Sequence, residues 1–359
     1  MRIFCSLDVG FLRLFHFGLG TVLIACSLNC VNAETAAAQS NQPAAAAATL
    51  PRCEVVPMDS HQVSFQIEGV ERFRWNYGED YPRPYFFPFR GPSGGLLTRM
   101  GHPGAPDHDH HQSIWFANHK VNGLNFWGNA TGTTIRRKQW YAYTDGEQEA
   151  SMASALGWYA ADGSEVMHQD LIAAIIPLEN DEYALEIQTT FKTPASGTPI
   201  ELEQNNFGFL AIRVAKGVSS LFGEGTLSNS EGQVGEPEIF GKSARWMDYS
   251  GSVASSEGES RTVVTEGITC FDHPSNLHFP TPWHVRKDGW MGAAVSLESG
   301  TTILPDAPLR LRYLVYAHRG GYDHAQAEAV YQAFAHRPAW VLSKATKPHY
   351  QYEVRREAQ

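Results

Sequence analysis

Most of the chain beyond residue 52 alternates between hydrophobic and polar positions with a period of two, the pattern of half-buried β-strands. The stretches HQVSFQIEG and VERFRWNYG alternate on either side of Gly69 and predict an early hairpin. Four longer stretches follow, QWYAYTD, EASMASALGWYAADG, VMHQDLIAAIIPL and DEYALEIQTTFKT, with D-G, D-G and N-D pairs between them. These pairs are typical of turns, so the four stretches predict a meander of long strands.

Further strand-like stretches occupy the second half of the chain: GFLAIRVA, RTVVTEGITCF, WMGAAVSLES and LRLRYLVYAH. One segment, roughly Asp323 to His336, has apolar positions spaced by three and four residues and predicts an amphipathic helix. Antiparallel strands in this number usually stack as two packed sheets. We therefore expect an all-β protein, a large antiparallel β-sandwich with one C-terminal helix, formed by a single domain of residues 53–359.

The N-terminus predicts export. Residues 1–33 combine a weakly basic start, an apolar core and a small-residue cleavage site at Val31-Asn32-Ala33, which is the pattern of a signal peptide. A second interpretation is the run LIAC ending at Cys26, which has the shape of a bacterial lipoprotein cleavage box. The low-complexity residues 34–52 predict a flexible linker. The expected location is periplasmic or secreted or, if Cys26 is lipidated, anchored to a membrane through that lipid alone.

The composition narrows the classes of function. A hydrophobic fraction of 43% supports a folded core, and a net charge of −10 without a basic block argues against nucleic-acid binding. The cysteines left after cleavage, Cys53 and Cys270, allow one disulfide without requiring it, and neither lies in a CxxC pair. The motifs GxGxxG and HExxH and the P-loop are absent, which disfavours dehydrogenases, zincins and NTPases.

The densest chemistry lies in HPGAPDHDHHQSIWFANHKVNG, residues 102–123, which contains five histidines. In an extended chain His108 and His110 would point to one side and His111 to the other. Two imidazoles joined by a third from elsewhere would bind a divalent metal, and His108, His110 and His284 are the candidate ligands. The alternative is a solvated loop with incidental histidines. A pocket floor is favoured by the aromatic residues that follow: Trp115, Phe116, Phe126 and Trp127.

A second polar segment, FDHPSNLHFPTPWHVR, spans residues 271–286. Histidine is suited to proton transfer near neutral pH, aspartate orients it, and arginine holds a carboxylate or an oxyanion. We expect His284 to act in acid/base chemistry, Asp272 and His273 to orient the catalytic groups, and Arg286 to bind the substrate. The alternative is an ordinary connection whose charges pair with one another.

Two further stretches carry candidate substrate contacts. In RWMDYSG, Trp246 would stack on a sugar ring and Asp248 would accept hydrogen bonds from its hydroxyls, whereas the alternative is a core strand. In the rigid, proline-rich RPYFFPFRGPSG, Arg83 and Arg90 are candidates for lining a cleft, with simple packing as the alternative.

Five stretches taken together, RPYFFPFRGPSG, DHDHHQSIWFANHKVNGLNFWG, RWMDYSG, FDHP and PTPWHVR, resemble in content and order the PmoA-like family, also labelled "methane oxygenase PmoA". The resemblance runs from about Tyr81 to His336. It implies a large β-sandwich similar to the galactose-mutarotase type and the company of sugar-processing proteins. Two departures stand out, because Gln112 replaces a usual arginine and Asn118-His119-Lys120 replaces a histidine-glycine-aspartate run. No membrane span follows the predicted signal, so we do not expect methane oxidation.

These observations predict an exported carbohydrate-active enzyme of lyase or isomerase type that acts on a small-molecule or glycan substrate, with one divalent metal or none. A non-catalytic carbohydrate-binding module is one alternative, and a metal-dependent oxidative enzyme, which the family label suggests, is another. The hypothesis requires the two histidine-bearing segments to form one pocket. The expected catalytic residues are His110, His111, Asp272, His273 and His284, and the expected substrate-binding residues are Arg90, Trp246, Asp248 and Arg286.

Overall fold

The computed structural model describes residues 49–258 and 262–358. The predicted signal peptide, the Cys26 box and residues 34–48 of the predicted linker lie outside the described residues. In chain order the strands are β1 (Cys53–Met58), β2 (Gln62–Ile67), β3 (Val70–Asn76), β4 (Tyr85–Phe89), β5 (Ile114–Asn118), β6 (Thr134–Thr144), β7 (Ala150–Tyr159), β8 (Glu165–Pro177), β9 (Tyr183–Lys192), β10 (Ile200–Leu202), β11 (Gly208–Arg213), β12 (Thr226–Asn229), β13 (Trp246–Ala254), β14 (Val263–Asp272), β15 (Trp283–Arg286), β16 (Trp290–Ala294), β17 (Thr301–Ile303), β18 (Leu309–Arg319), β19 (Trp340–Lys344) and β20 (Tyr352–Arg356).

Sixteen of these strands form two eight-stranded antiparallel sheets, which confirms the predicted β-sandwich. The first sheet has the order β1-β2-β3-β4-β5-β11-β16-β15, and the second has the order β12-β13-β14-β18-β9-β8-β7-β6. The predicted hairpin around Gly69 is β2–β3, and Gly69 adopts a φ of +75° that a residue without Cβ tolerates. The predicted meander is β6 to β9, four strands that pair in chain order.

The main core lies between the two sheets because each strand turns alternate side chains inward. Phe191 of β9 and Phe209 of β11 stack across the interface with ring centroids 4.4 Å apart, so they join the two sheets directly. Cys53 and Cys270 are both buried and are not bonded to each other.

The outer face of the second sheet is also covered, which explains why most residues of β7, β8 and β9 are buried. The predicted C-terminal helix, α2 (His324–Ala335), packs Tyr331 and Phe334 on this face. The side chain of Asp323 caps its first turn by accepting from the backbone N–H of Gln326 at 3.0 Å. The hairpin β19–β20 covers a neighbouring area through Trp340.

A second, four-residue helix, α1 (Glu236–Ile239), follows β12. In the described parts of the chain no helix has both the length and the apolar character needed to cross a membrane.

The outer face of the first sheet is different, because it carries an aromatic cluster around small residues. Ala211 of β11 pairs with Trp115 of β5 on one side and with Gly292 of β16 on the other. Gly292 in turn pairs with His284 of β15. The small side chains in the middle of these strands leave a depression that larger neighbours surround.

Candidate functional site

A cleft of about 270 Å³, here called the histidine cleft, lies on this outer face of the first sheet. The structure brings together parts of both histidine-bearing segments here, because His108 and His111 come from the first segment and His284 and Arg286 from the second. The other residues that line the cleft are Phe207, Arg213, Asp288 and Trp290.

Strand alternation explains why these side chains meet. Positions two apart on a strand share a face, so Arg213 projects on the same side as Ala211, and Arg286 on the same side as His284. Trp290 pairs in register with both Arg213 and Arg286. Its ring lies near both imidazoles, with its centroid 5.3 Å from that of His111 and 5.7 Å from that of His284.

His284 presents an unprotonated nitrogen. Its Nδ1 lies 2.9 Å from the carbonyl oxygen of Asn206, and because a carbonyl can only accept, Nδ1 carries the proton and donates it. Burial lowers the pKa of His284 to about 4, so the ring is neutral at pH 7 and Nε2 holds a lone pair. That Nε2 is buried and bonds to no partner within the described chain. A buried acceptor without a partner is costly, and a ligand in the cleft is one way to satisfy it.

His111 has the opposite arrangement. Its Nδ1 accepts a hydrogen bond from Nη2 of Arg213 at 2.9 Å, and because a guanidinium can only donate, the proton of His111 lies on Nε2. Burial and the adjacent Arg213 charge hold the pKa of His111 far below its usual range. The cleft therefore contains one imidazole that donates through N–H and one that accepts through a lone pair. The partner on the far side of each ring fixes these roles.

Asp288 neutralises Arg213 at the wall of the cleft. Arg213 is 1% exposed and donates to Asp288 at 2.6 Å and 3.2 Å. Asp288 also accepts from Nε2 of His102 at 2.8 Å, and Nδ1 of His102 accepts from the backbone N–H of Gly104. Burial raises the pKa of Asp288, but the bonds from Arg213 and His102 outweigh burial and hold the pKa below its usual value. This carboxylate therefore also connects the sheet to the histidine-rich loop, residues 102–113 before β5.

The histidine-rich loop does not have the predicted extended form. A 3₁₀ turn at Pro106–His108 shortens the chain, so the expectation that His111 points away from His108 and His110 is wrong. The ring of His111 lies 5.0 Å from that of His108 and 4.4 Å from that of His110. His110 does not line the cleft. Burial, together with the nearby His108 and Arg83, lowers its pKa to about 4.

Arg83 supports this loop from inside the protein. It is 1% exposed and has no carboxylate partner within the described residues. Its guanidinium instead donates to oxygens at both ends of the aromatic segment: the carbonyls of His110, Trp127 and Gly128 and the side chains of Gln112 and Asn129. A buried cation bound only to neutral oxygens holds these two chain segments at a fixed separation. Gln112 therefore serves as an acceptor for Arg83 at the position where the PmoA-like pattern has an arginine.

Asp272 and His273 lie away from the cleft. Asp272 is fully buried at the end of β14, where it accepts from the side chain of Asn276 and the backbone N–H of Thr281, and burial raises its pKa to about 6. His273 accepts a hydrogen bond from Arg312 at 2.9 Å and lines a separate cleft. These partners do not include the histidines of the cleft, so the structure does not support the expected role of Asp272 and His273 in orienting them.

The other expected substrate contacts also lie elsewhere. Trp246 is fully buried beside α2, and Asp248 is fully buried in contact with His318, Ser250 and Thr269. Both belong to a strand packed under a helix, which was the alternative interpretation of RWMDYSG. Arg90 donates to the carbonyl of Gly94 at 3.2 Å and does not line the cleft.

The predicted metal ligands are not assembled. In residues 49–258 and 262–358 no group of three His, Cys, Asp or Glu side chains is arranged to hold a metal ion. His284 has the character of a ligand, with Nδ1 bonded to a carbonyl and Nε2 available, and Nδ1 of His108 is similarly paired with the carboxylate of Asp107. No group of three ligands in the described residues includes them, so the predicted set of ligands is incomplete.

Sequence reasoning missed Asp288 and the site roles of Arg213, Phe207 and Trp290. Arg213 had one usable signal, an arginine whose strand neighbours are all apolar and which therefore needs a buried partner. Asp288 lies in the D-G pair between β15 and β16, and such a pair predicts a turn without indicating a functional role.

The fold and the cleft define an all-β sandwich protein with an aromatic-lined cleft on one sheet. The chain belongs to a family of unknown function, DUF6807, whose model matches residues 62–332. This match includes every residue that lines the cleft. No curated protein matches the chain.

Proposed function

We propose that the protein is a carbohydrate-active enzyme of isomerase or lyase type, in which the cleft binds one sugar unit and His284 removes a proton from it. The observation that carries the proposal is a pair of neutral imidazoles near one tryptophan ring, with a lone pair on His284 and an N–H on His111. The resemblance to the PmoA-like family and its sugar-processing company supports the same substrate class.

The walls of the cleft are suited to a sugar. Trp290 and Phe207 offer apolar faces to the C–H groups of a pyranose ring, and the indole N–H of Trp290 is buried with no partner in the described chain. Arg286 and Asp288 supply charged groups for hydroxyls. The volume of about 270 Å³ is near the lower end for small-molecule sites, about 300 Å³, which favours a single sugar unit.

The chemistry is proton transfer in a partly desolvated site. Nε2 of His284 takes a proton from a sugar hydroxyl, such as the anomeric one, or from a carbon next to a carbonyl. In the first case the bond between the anomeric carbon and the ring oxygen breaks as the carbonyl forms, and the ring oxygen carries the negative charge. Nε2–H of His111, polarised by Arg213, donates to that oxygen. The ring oxygen then attacks the other face of the carbonyl, and the protonated His284 returns its proton to the new anomeric oxygen, which gives the other anomer.

The low pKa of His284 sets the requirement for this step. An imidazole with a pKa of about 4 is fully available as a base at pH 7 but is a weak one. The transfer therefore depends on stabilisation of the new negative charge by His111 and its partner Arg213. Loss of either imidazole should reduce the rate strongly.

The test follows a panel of aldoses, ketoses and uronic acids in D₂O by ¹H NMR, which reports both the equilibration of anomers and the exchange of C–H protons. We expect the wild type to turn over one of these classes and His284→Gln to lower kcat by about 100-fold or more while sugar still binds. His336→Gln is the matched control, because Nδ1 of His336 also bonds a carbonyl but its ring is exposed on α2.

Each other result has a defined meaning. Binding without turnover in the wild type would favour a carbohydrate-binding module, and unchanged kcat in His284→Gln would remove the proposed base. Stoichiometric metal in protein purified without chelator would favour the oxidative enzyme. We also propose that the protein acts outside the cytoplasm, as residues 1–33 indicate, which cell fractionation with and without Cys26→Ala tests.

A further inference from the structure

We propose a second ligand site, a cleft that binds a sulfate or phosphate group, free or as part of a larger molecule. The cleft is about 530 Å³, roughly twice the volume of the histidine cleft, and lies where the end of α2, the start of β18 and the hairpin β19–β20 meet. Its lining residues, here called the arginine cleft, are His273, Ser275, Pro308, Arg310, Arg312, Arg337, Pro338, Ala339 and Glu357.

Three guanidinium groups line this cleft in a chain whose net charge is −10. Arg312 is bonded to the fully buried Glu186 at 3.1 Å, and Arg337 pairs with Glu149 at 3.4 Å. Arg356 also forms ion pairs with both glutamates, at 2.6 Å from each of them. The two carboxylates are thus shared among three arginines, so they do not neutralise the cleft.

Unused donor capacity remains on two of the lining residues. Arg310 is exposed and forms no ion pair with any carboxylate of the described residues. The side chain of Arg312 is 4% exposed, and its buried Nε has no hydrogen-bond partner within the same residues. Buried donors of this kind are costly unless a ligand or water accepts from them.

The combination selects the ligand class. Guanidinium groups bind sulfate and phosphate through paired N–H donors whose spacing matches two oxygens of a tetrahedral oxyanion. Glu357 is the one carboxylate among the lining residues and would repel the anion from one side, so the anion is expected beside Arg310 and Nε of Arg312. The inference does not rest on the function proposed for the histidine cleft.

The experiment titrates the full-length protein with sodium sulfate, and separately with sodium phosphate, at constant ionic strength maintained with sodium chloride. Binding is measured by isothermal titration calorimetry and by ¹H–¹⁵N NMR of the arginine side chains. We expect saturable binding that Arg310→Gln weakens by about tenfold or more. The matched control is Arg355→Gln, an exposed arginine on the same hairpin that does not line the cleft.

Two results would overturn the inference: no saturable binding of either anion, or equal weakening by Arg310→Gln and Arg355→Gln, which would indicate attraction to net charge alone. A sulfated monosaccharide in place of inorganic sulfate distinguishes an ester from a free anion, and tighter binding of either source supports the site. His284→Gln should leave this binding unchanged, so failure of the proposed enzymatic function and failure of the anion site are separable.

Discussion

Asp288→Asn tests the electrostatic arrangement on which the candidate site depends. The carboxylate holds the buried Arg213 with two bonds and also accepts from Nε2–H of His102. Asparagine keeps the shape but has one acceptor oxygen, so its NH₂ group must face a donor, either Arg213 or His102. His102 cannot easily change its tautomer, because its Nδ1 already accepts from Gly104. The substitution therefore leaves a buried cation without charge compensation and one donor without an acceptor.

The size of the effect follows from the burial of the two partners. Breaking a fully buried ion pair costs about 3–5 kcal/mol. The side chain of Arg213 is 1% exposed but that of Asp288 is 22% exposed, so solvent screens part of the charge. We expect a loss of about 2–4 kcal/mol in the free energy of unfolding. At about 2 °C per kcal/mol for a chain of this size, Tm should fall by about 4–8 °C.

The assay is urea denaturation together with a thermal scan, with the exposed Asp306→Asn as the control. A double-mutant cycle with Arg213→Met isolates the pair, because the loss from Asp288→Asn should shrink when Arg213 is absent. A loss below about 1 kcal/mol, or an equal loss in the Arg213→Met background, would refute the reasoning.

Three further predictions concern other parts of the molecule. Burial lowers the pKa of His318, but Asp248 raises it more, so the folded-state pKa lies above the ordinary value of 6.5. The stabilisation of the folded state by the protonated His318 is therefore complete below about pH 6.5 and is lost as pH rises through the folded-state pKa. The difference in unfolding free energy between wild type and His318→Gln should therefore shrink from about pH 5 to about pH 9; a constant difference would contradict it. Arg83→Met should cost about 3 kcal/mol in unfolding free energy by leaving several oxygens without donors, and Arg83→Lys less; in Arg83→Met the pKa of His110, followed by NMR, should rise, and no rise would contradict the role of this cation. In Gly292→Val the added side chain would displace the ring of Trp290, which lies 3.4 Å from the position of a Cβ and lines the histidine cleft, so sugar binding measured by calorimetry should weaken strongly. Unchanged affinity would place the ligand elsewhere.

The sequence pattern predicted the framework well where local rules decide the structure. The hairpin β2–β3 and the meander β6–β9 followed from alternation and turn pairs, which depend on neighbouring residues alone. Strands β4, β5 and β15 were not predicted, because prolines, histidines and aromatics in those segments favoured their interpretation as functional loops. The hairpin β19–β20 was also missed, since its short strands carry mixed charge with no clear alternation.

The candidate site was predictable in its residue types but not in its grouping. His284 and Asp272 are twelve residues apart, yet Asp272 ends β14 in the second sheet and His284 lies in β15 in the first. The chain crosses from one sheet to the other between them, and no local pattern marks that crossing. The bond of Arg213 to Asp288 joins residues 75 positions apart, so it depends on the pairing of β11 with β16. Long-range pairing of this kind is set by the whole fold.

The mounting of the cleft on strands has a consequence for how a ligand is received. Arg213, His284 and Trp290 project from paired strands, so their geometry is in place before any ligand arrives and little ordering entropy is lost on binding. His108 and His111 belong to the loop before β5, but His111 is buried and bonded to Arg213, whereas the side chain of His108 is 41% exposed. Adjustment to ligands of different shape should therefore fall on the segment around His108. Relatives that differ in that segment would be expected to differ in selectivity while keeping the same rigid floor.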